Sequence, residues 1–301
     1  MRVWNICLGG ALAILATQLA LAAPPSKPAS NAAPAANNVS ATRPAAQDAA
    51  IKQGLALIDK REFAQAVEVF QQAYAAGNAD AGFYLGRMAE LGLGTTPNPA
   101  AAAVLYRAAA DKGSAKALNR VGLMQYKGEA GVLQDYAAAR ETLCKAAAMG
   151  DADAQFNCAE MWFEGKAGPK DVTKALPLYL KAAEGGHIGA LNLLGLIYRD
   201  GIGVTTDAAR SRDYFARAAA KGNPVGLYET GRAAEEAYRA GKADGKADAS
   251  AELIKAHMFY NLAGARNHPG AAVALQRLSA VMSESDLAKA QADARAWKAT
   301  P

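Results

Sequence analysis

"LKAAEGGHIGALNLLGLIYRDGIGV", residues 180–204, places small residues where a globular core would carry large ones. Alanines stand side by side, two glycines stop the run, Gly195 interrupts an apolar stretch, and Gly201-Ile202-Gly203 follows. Such a segment is either a loop that cradles phosphate or the punctuation of a repeat. A dinucleotide-binding loop follows a strand, carries three glycines and is answered by a later acidic residue. Here the Gly-x-Gly follows a helical pattern and the third glycine is missing, so the repeat has to be sought along the whole chain.

The repeat is there. Gly77, Gly113, Gly150, Gly186 and Gly222 each end a small-residue run and stand 36, 37, 36 and 36 residues apart; Asn267 takes the next such place after a nine-residue excess. Backbone just past a helix end is often left-handed, a conformation that glycine and then asparagine adopt most cheaply. A second column, Gly86, Gly122, Ala159, Gly195 and Gly231, keeps the same spacing inside the apolar segments. Glycine within a helix costs about 1 kcal/mol relative to alanine, so its recurrence implies close helix approach. A third column pairs small residues, Ala109-Ala110, Ala146-Ala147, Ala182-Ala183, Ala218-Ala219 and Ala263-Gly264, and is expected to face the glycines. Asn98 before Pro99, and Asp135 and Asp171, mark the starts of second helices. Each unit therefore reads as helix, glycine-bearing loop, helix, tight turn.

Composition agrees with an all-helical chain: 51% of the 301 residues are hydrophobic, alanine leads that fraction, and aromatics supply only 7%. The formal charge of +5 comes from scattered residues without a basic stripe, which argues against nucleic acid as a partner. His187, His257 and His268 fit no metal-ligand spacing. The chain has no nucleophile elbow, zinc-protease helix or phosphate-binding loop. No catalytic residue, cofactor or metal is expected.

The pattern small-x-aromatic-x-Leu-Gly-x-x-Tyr, a Gly-x-Gly loop and x-Tyr-x-Lys-Ala-Ala-x-x-Gly resembles the Sel1-like repeat, a longer-looped relative of the tetratricopeptide repeat. "GALNLLGLIYRDGIGVTTDAARSRDYFARAAAKGN", residues 189–223, follows that pattern almost throughout. The first unit, with Gly54 only 32 residues before Gly86, is similar to a plain tetratricopeptide unit. The resemblance implies an all-α, right-handed α-solenoid of helix–loop–helix repeats that presents a concave surface to protein partners.

Residues 1–22 read as a secretory signal peptide, with Arg2, an apolar stretch and Ala20-Leu21-Ala22 before the cleavage point. Residues 23–47, rich in Ala, Pro, Ser and Asn, read as a disordered linker. About six repeat units are expected over 48–282 and a capping helix over 283–301, where Ser283 and Asp286 suggest a capping box. Pro177 is expected to kink its helix, and residues 240–250, "AGKADGKADAS", to form an expanded loop.

Carried onto this chain, the inward-facing columns of tetratricopeptide-like units are Phe83, Asn119, Phe156, Asn192 and Tyr228; Arg87, Glu160 and Arg232, beside Leu123 and Leu196; and Glu90, Tyr126, Phe163, Arg199 and Glu235. These are the candidate partner-binding residues, with Arg87, Arg199 and Arg232 expected to be exposed. The expected function is a non-catalytic scaffold or adaptor in the periplasm of a bacterium, or secreted, that binds a protein segment, with no membrane insertion once the signal is removed. Two alternatives stay open: an immunity protein that inhibits a periplasmic toxic enzyme, and cell-wall or β-lactam binding as in cysteine-rich relatives. Cys144 and Cys158 lie on antiparallel helices at equal distances from the turn near Asp151, which predicts a disulfide; the cysteine-rich relatives carry a similar pair nearer the turn, matching Ala147 and Ala154.

Overall fold

The computed structural model describes residues 45–244 and 250–300. The expected signal peptide and nearly all of the expected linker lie outside the described residues. Fourteen α-helices and no strand occur among the described residues. They run as α1 (Ala45–Asp59), α2 (Phe63–Ala75), α3 (Ala79–Leu91), α4 (Pro99–Asp111), α5 (Ala115–Lys127), α6 (Tyr136–Ala148) and α7 (Ala152–Glu164). There follow α8 (Val172–Glu184), α9 (Ile188–Asp200), α10 (Ala208–Ala220), α11 (Pro224–Ala243), α12 (Ser250–Gly264), α13 (Ala271–Ser279) and α14 (Glu284–Ala296). From α1 to α7 and from α8 to α13, helices adjacent in the chain pack as neighbours, as expected of an α-solenoid. The chain divides into two compact units, one ending at Lys170 and one beginning at Asp171, in the loop between α7 and α8.

Both ends of the repeating helices are fixed by local chemistry. The first helix of each pair is capped by the side chain of Asn78, Ser114, Asp151, His187 or Asn223, which accepts a backbone N–H of the first turn. The residue just before each of these caps is one of the column glycines, at φ between 75° and 93°. Asn267, standing where the next glycine would be, takes φ 61°, the left-handed conformation that its column predicts. Second helices start at Asn98, Asp135, Asp171 and Asp207, each capping through its side chain. The backbone N–H groups of Asn98, Asp135 and Asp207 also donate to Ala89, Gln125 and Tyr198 at 2.8 Å, closing the loop against the helix just left.

Packing within a pair depends on the second glycine column. A Cβ at Gly86 would lie 2.6 Å from the Tyr106 ring, at Gly122 2.7 Å from Leu143, at Gly195 2.7 Å from the Phe215 ring, and at Gly231 2.9 Å from Tyr260. The residue that faces the glycine is thus a large one of the second helix, and not the alanine pair expected from sequence. The alanine pairs begin three residues further on and are largely buried; Ala109 and Ala218 meet other small residues, Gly82 and Gly226. The physical reason is volume: the absent Cβ is a notch that only a broad side chain fills.

Three further expectations meet the structure here. The helix α8 runs as one continuous element through Pro177, which is exposed. The segment read as an expanded loop is helical at its start, because α11 extends for 20 residues to Ala243; residues 245–249 lie outside the described ones. Ser283 Oγ accepts the Asp286 N–H at 3.1 Å at the start of α14, and α14 packs on α12. A disulfide joins Cys144 on α6 to Cys158 on α7, with Cα atoms 4.9 Å apart.

Two measurements test this account. Gly195→Val drives a side chain into Phe215 and should cost about 1–3 kcal/mol by overpacking, whereas Gly113→Ala meets open space and should cost only the left-handed backbone strain, about 1–2 kcal/mol. Urea unfolding reads both, and an unchanged midpoint for Gly195→Val would remove the notch from the argument. Reducing the disulfide opens a loop between residues 14 apart and should lower stability by roughly 3 kcal/mol. Under denaturing conditions no alkylating label should enter Cys144 or Cys158 until reductant is added; early labelling would refute the bond.

Candidate functional site

The candidate residues do not form one surface; the structure sorts them into packing, ion-pair braces and a groove. In the unit ending at Lys170, Phe83 is half-buried, its ring 5.2 Å from Tyr84 and 5.7 Å from Tyr106. Asn119, expected on the binding face, is buried and accepts a hydrogen bond from Asn157 Nδ2 at 2.9 Å. Arg87 is exposed and pairs with Glu90 at 3.7 Å.

Glu90 itself is the centre of a brace. It accepts from Tyr106 Oη at 2.6 Å and from Arg120 Nε at 3.1 Å, while the other end of the Arg120 guanidinium reaches Glu129. Burial would push the Glu90 carboxyl up, but hydrogen bonds from Arg120 and Tyr106 outweigh it and hold the group below its ordinary range. Burial and the same bond to Glu90 push the Tyr106 hydroxyl far up.

Three of the four remaining candidates of this unit converge on one groove. Between α5 and α7 lies a cleft of about 200 Å³ lined by Leu123, Tyr126, Leu143, Phe156, Asn157, Glu160, Met161 and Glu164. Three of the expected partner-binding residues, Tyr126, Phe156 and Glu160, stand in it together. Tyr126 is held by Tyr136, ring centroids 5.3 Å apart. The groove is apolar along its length, with two carboxylates on the α7 side. Phe163 is half-buried on the same helix but outside this lining.

In the unit beginning at Asp171, Asn192 donates to the capping Asn223 at 3.0 Å. Tyr228 stacks on His268 at 4.1 Å and lies 5.1 Å from Tyr260. Arg199 and Arg232 are only about a third exposed (35% of each side chain), because both grip Glu229, at 3.2 and 2.7 Å. Arg199 also binds Asp200, and Arg232 binds Glu236. Both were expected to be exposed; they are instead partly covered and act as braces. Glu235 departs furthest from expectation: it is 4% exposed and accepts from Tyr260, Arg239 and Arg277.

Arg120, Glu229, Arg239 and Arg277 were not singled out from sequence. The first two were within reach, since Glu90–Arg120 and Arg199–Glu229 are both 30 residues apart, joining the position four past one glycine to the position two before the next. Glu235 and Arg277 are 42 apart across the expanded segment, and no spacing rule points to them.

Acid should loosen the molecule in two steps. Burial lowers the affinity of His257 and His268 for protons from the ordinary 6.5, so stability should begin to fall as the pH drops below 6.5. Glu90 and Glu235, held below the ordinary 4.5, contribute stability that is complete above 4.5 and is lost as the pH falls through their folded values. Thermal midpoints measured from pH 8 to pH 3 check this. His257→Gln should flatten the first step and Glu90→Gln the second; a flat profile in the wild type would contradict both.

No helix of the described residues is long and apolar enough to cross a membrane, and no group of three His, Cys, Asp or Glu among them is placed to hold a metal ion. Comparison with known proteins places the repeats. Residues 79–114, 115–151, 152–187 and 188–223 each match the Sel1 repeat. The chain is similar to a crystal structure of a Sel1 repeat protein from Oxalobacter formigenes, with 27% identity, a TM-score of 0.64, and coverage of 82% of this chain and 99% of that one. Among curated proteins it is 34% identical over 116 residues to the Sel1-repeat-containing protein YjcO of Escherichia coli, covering 37% of this chain and 50% of that protein. It is 29% identical over 177 residues to the chitin synthase regulator SKT5 of Saccharomyces cerevisiae, covering 56% of this chain and 25% of that protein. The chain thus spans half or less of the length of these curated relatives. Sel1-repeat proteins generally mediate protein–protein interaction. Residues 79–223 are thus four Sel1 repeats matched in register, and their helical fold is shared with a Sel1 repeat protein.

Proposed function

We propose that this protein is a non-catalytic adaptor, exported by a bacterium to the periplasm or beyond, that seats a segment of a partner protein in the groove between α5 and α7. The observation that carries the reading is the convergence of Tyr126, Phe156 and Glu160, three residues of inward-facing columns, on one cleft with an apolar floor. Aromatic side chains offer large contact area with few rotors to immobilise, which is why they dominate protein interfaces. Glu160 and Glu164, the latter paired with Lys166 at 3.9 Å, give the α7 side an acidic character that suits a segment carrying a basic side chain beside an apolar one. The N-terminal Arg2, apolar stretch and Ala-x-Ala pattern support export, and a disulfide is a bond that an oxidising compartment sustains.

A photocrosslinking residue at Tyr126 in intact cells should give a discrete protein adduct, and the same residue at exposed Arg107 on α4 should not. Glu160→Lys should reduce the adduct about tenfold or more while the melting temperature stays close to wild type. Equal adducts from both positions, or none from Tyr126, would remove the groove as the binding face. Cell fractionation tests the location: protein that remains with the cytosol contradicts export.

A further inference from the structure

The structure carries two Tyr–Glu–Arg braces at the same place in the repeat, and they differ in one respect. Glu90 and Glu235 each stand four residues past the glycine of a first helix. Each accepts from the tyrosine seated on that glycine, Tyr106 or Tyr260, and from an arginine of a later helix, Arg120 or Arg277. Around Glu90 the charges balance, with Arg87 and Arg120 set against Glu90 and Glu129, and Arg120 is only 16% exposed. At the Arg199 cluster Asp200, Glu229 and Glu236 more than match Arg199 and Arg232. Around Glu235 they do not balance.

The carboxylate of Glu235 is saturated: Oε1 accepts from Arg239 Nη2 and Arg277 Nε, Oε2 from Tyr260 Oη and Arg277 Nη2. Two guanidiniums thus share one buried carboxylate, and their side chains are 64% and 49% exposed. Their other N–H groups, at Arg239 Nε and Nη1 and at Arg277 Nη1, are not used by this carboxylate. Lys242, one turn beyond Arg239 on α11, is exposed and has no ion-pair partner among the described residues. Arg239, Lys242 and Arg277 line a cleft of about 450 Å³ between α11 and the α13 end, together with Tyr238, Ala243, Leu278 and the exposed Val281. Three cations against one buried carboxylate face an apolar wall.

We propose that this cleft binds an acidic protein segment carrying an apolar side chain, with Glu235 as the positioning residue that holds both guanidiniums in place. Pre-set guanidiniums lose little freedom when a carboxylate arrives, and their planar N–H pairs suit it. Tyr238 and Val281 beside the cations favour a peptide over inorganic phosphate or a lipid surface, neither of which offers an apolar side chain at that distance. The site shares no residue with the α5–α7 groove, and its assignment does not rest on it.

The test is calorimetric titration of the full chain with the blocked hexapeptide Glu-Asp-Leu-Glu-Asp-Leu, against its neutral analogue Gln-Asn-Leu-Gln-Asn-Leu. The acidic peptide should bind, the neutral one at least tenfold more weakly, and the difference should shrink as salt is raised. Lys242→Glu should weaken acidic-peptide binding about tenfold with unchanged helical content, because Lys242 braces nothing. Arg239→Gln should do likewise. No binding of the acidic peptide, equal binding of both peptides, or wild-type affinity in Lys242→Glu overturns the proposal. Tighter binding of polyphosphate or of phosphatidylglycerol vesicles than of the peptide overturns the ligand class. Adduct formation at Tyr126 should persist in Lys242→Glu, so failure of this cleft and failure of the α5–α7 groove can be told apart.

Discussion

Everything in this molecule hangs on a missing methyl group. At Gly86, Gly122, Gly195 and Gly231 the first helix of a pair has no Cβ, and a Tyr, Leu or Phe of the second helix occupies the space. That contact fixes the distance between two helices and their rotation about their own axes, because a broad side chain enters a notch in one orientation only. The caps at either end then set the loop lengths, and the loop lengths set which side chains of successive pairs can meet. The brace residues 30 apart are a consequence of that geometry. Helix propensity favours α-helices in such an alanine-rich chain, but it does not choose their mutual placement.

The periodic part of this architecture was legible because glycine and capping residues act locally. A left-handed residue, an N-cap or a notch needs a particular side chain at a particular place whatever surrounds it, so its spacing survives in the sequence; Asn267 at φ 61° is the clearest instance. Depth and partnership were not legible. Helical spacing places Glu235 and Arg199 on the same stripe as Tyr126, but one is buried under two arginines, one grips a glutamate of a later helix, and one lines a groove. Long charged side chains take their role from a residue some thirty positions away, and the sequence stripe does not carry that information. The alanine pairs misled for a related reason: small residues imply closeness without saying to what.

One repeat position is used for three purposes. Four residues past the notch, Glu90 locks a balanced brace, Tyr126 lines a groove, and Glu235 holds two cations at the rim of a cleft. The backbone address is the same, and the difference lies in what the neighbouring helix supplies. A repeat fold thereby separates the residues that build it, which are small and periodic, from those that give each stretch its chemistry, which are large and vary from repeat to repeat. Binding surfaces can change in such a chain without disturbing the notches.

The braces also have reversed polarity. Glu90 reaches Arg120, whereas Arg199 reaches Glu229 across the same interval. A chain of near-identical units risks docking a helix against the wrong copy, since three of the four notches accept an aromatic ring. Exchanging these neighbours would set Glu90 against Glu229 and Arg199 against Arg120, two half-buried like-charged pairs with their hydrogen bonds gone. The small residues make the repeats interchangeable in shape, and the ion pairs give each one an address.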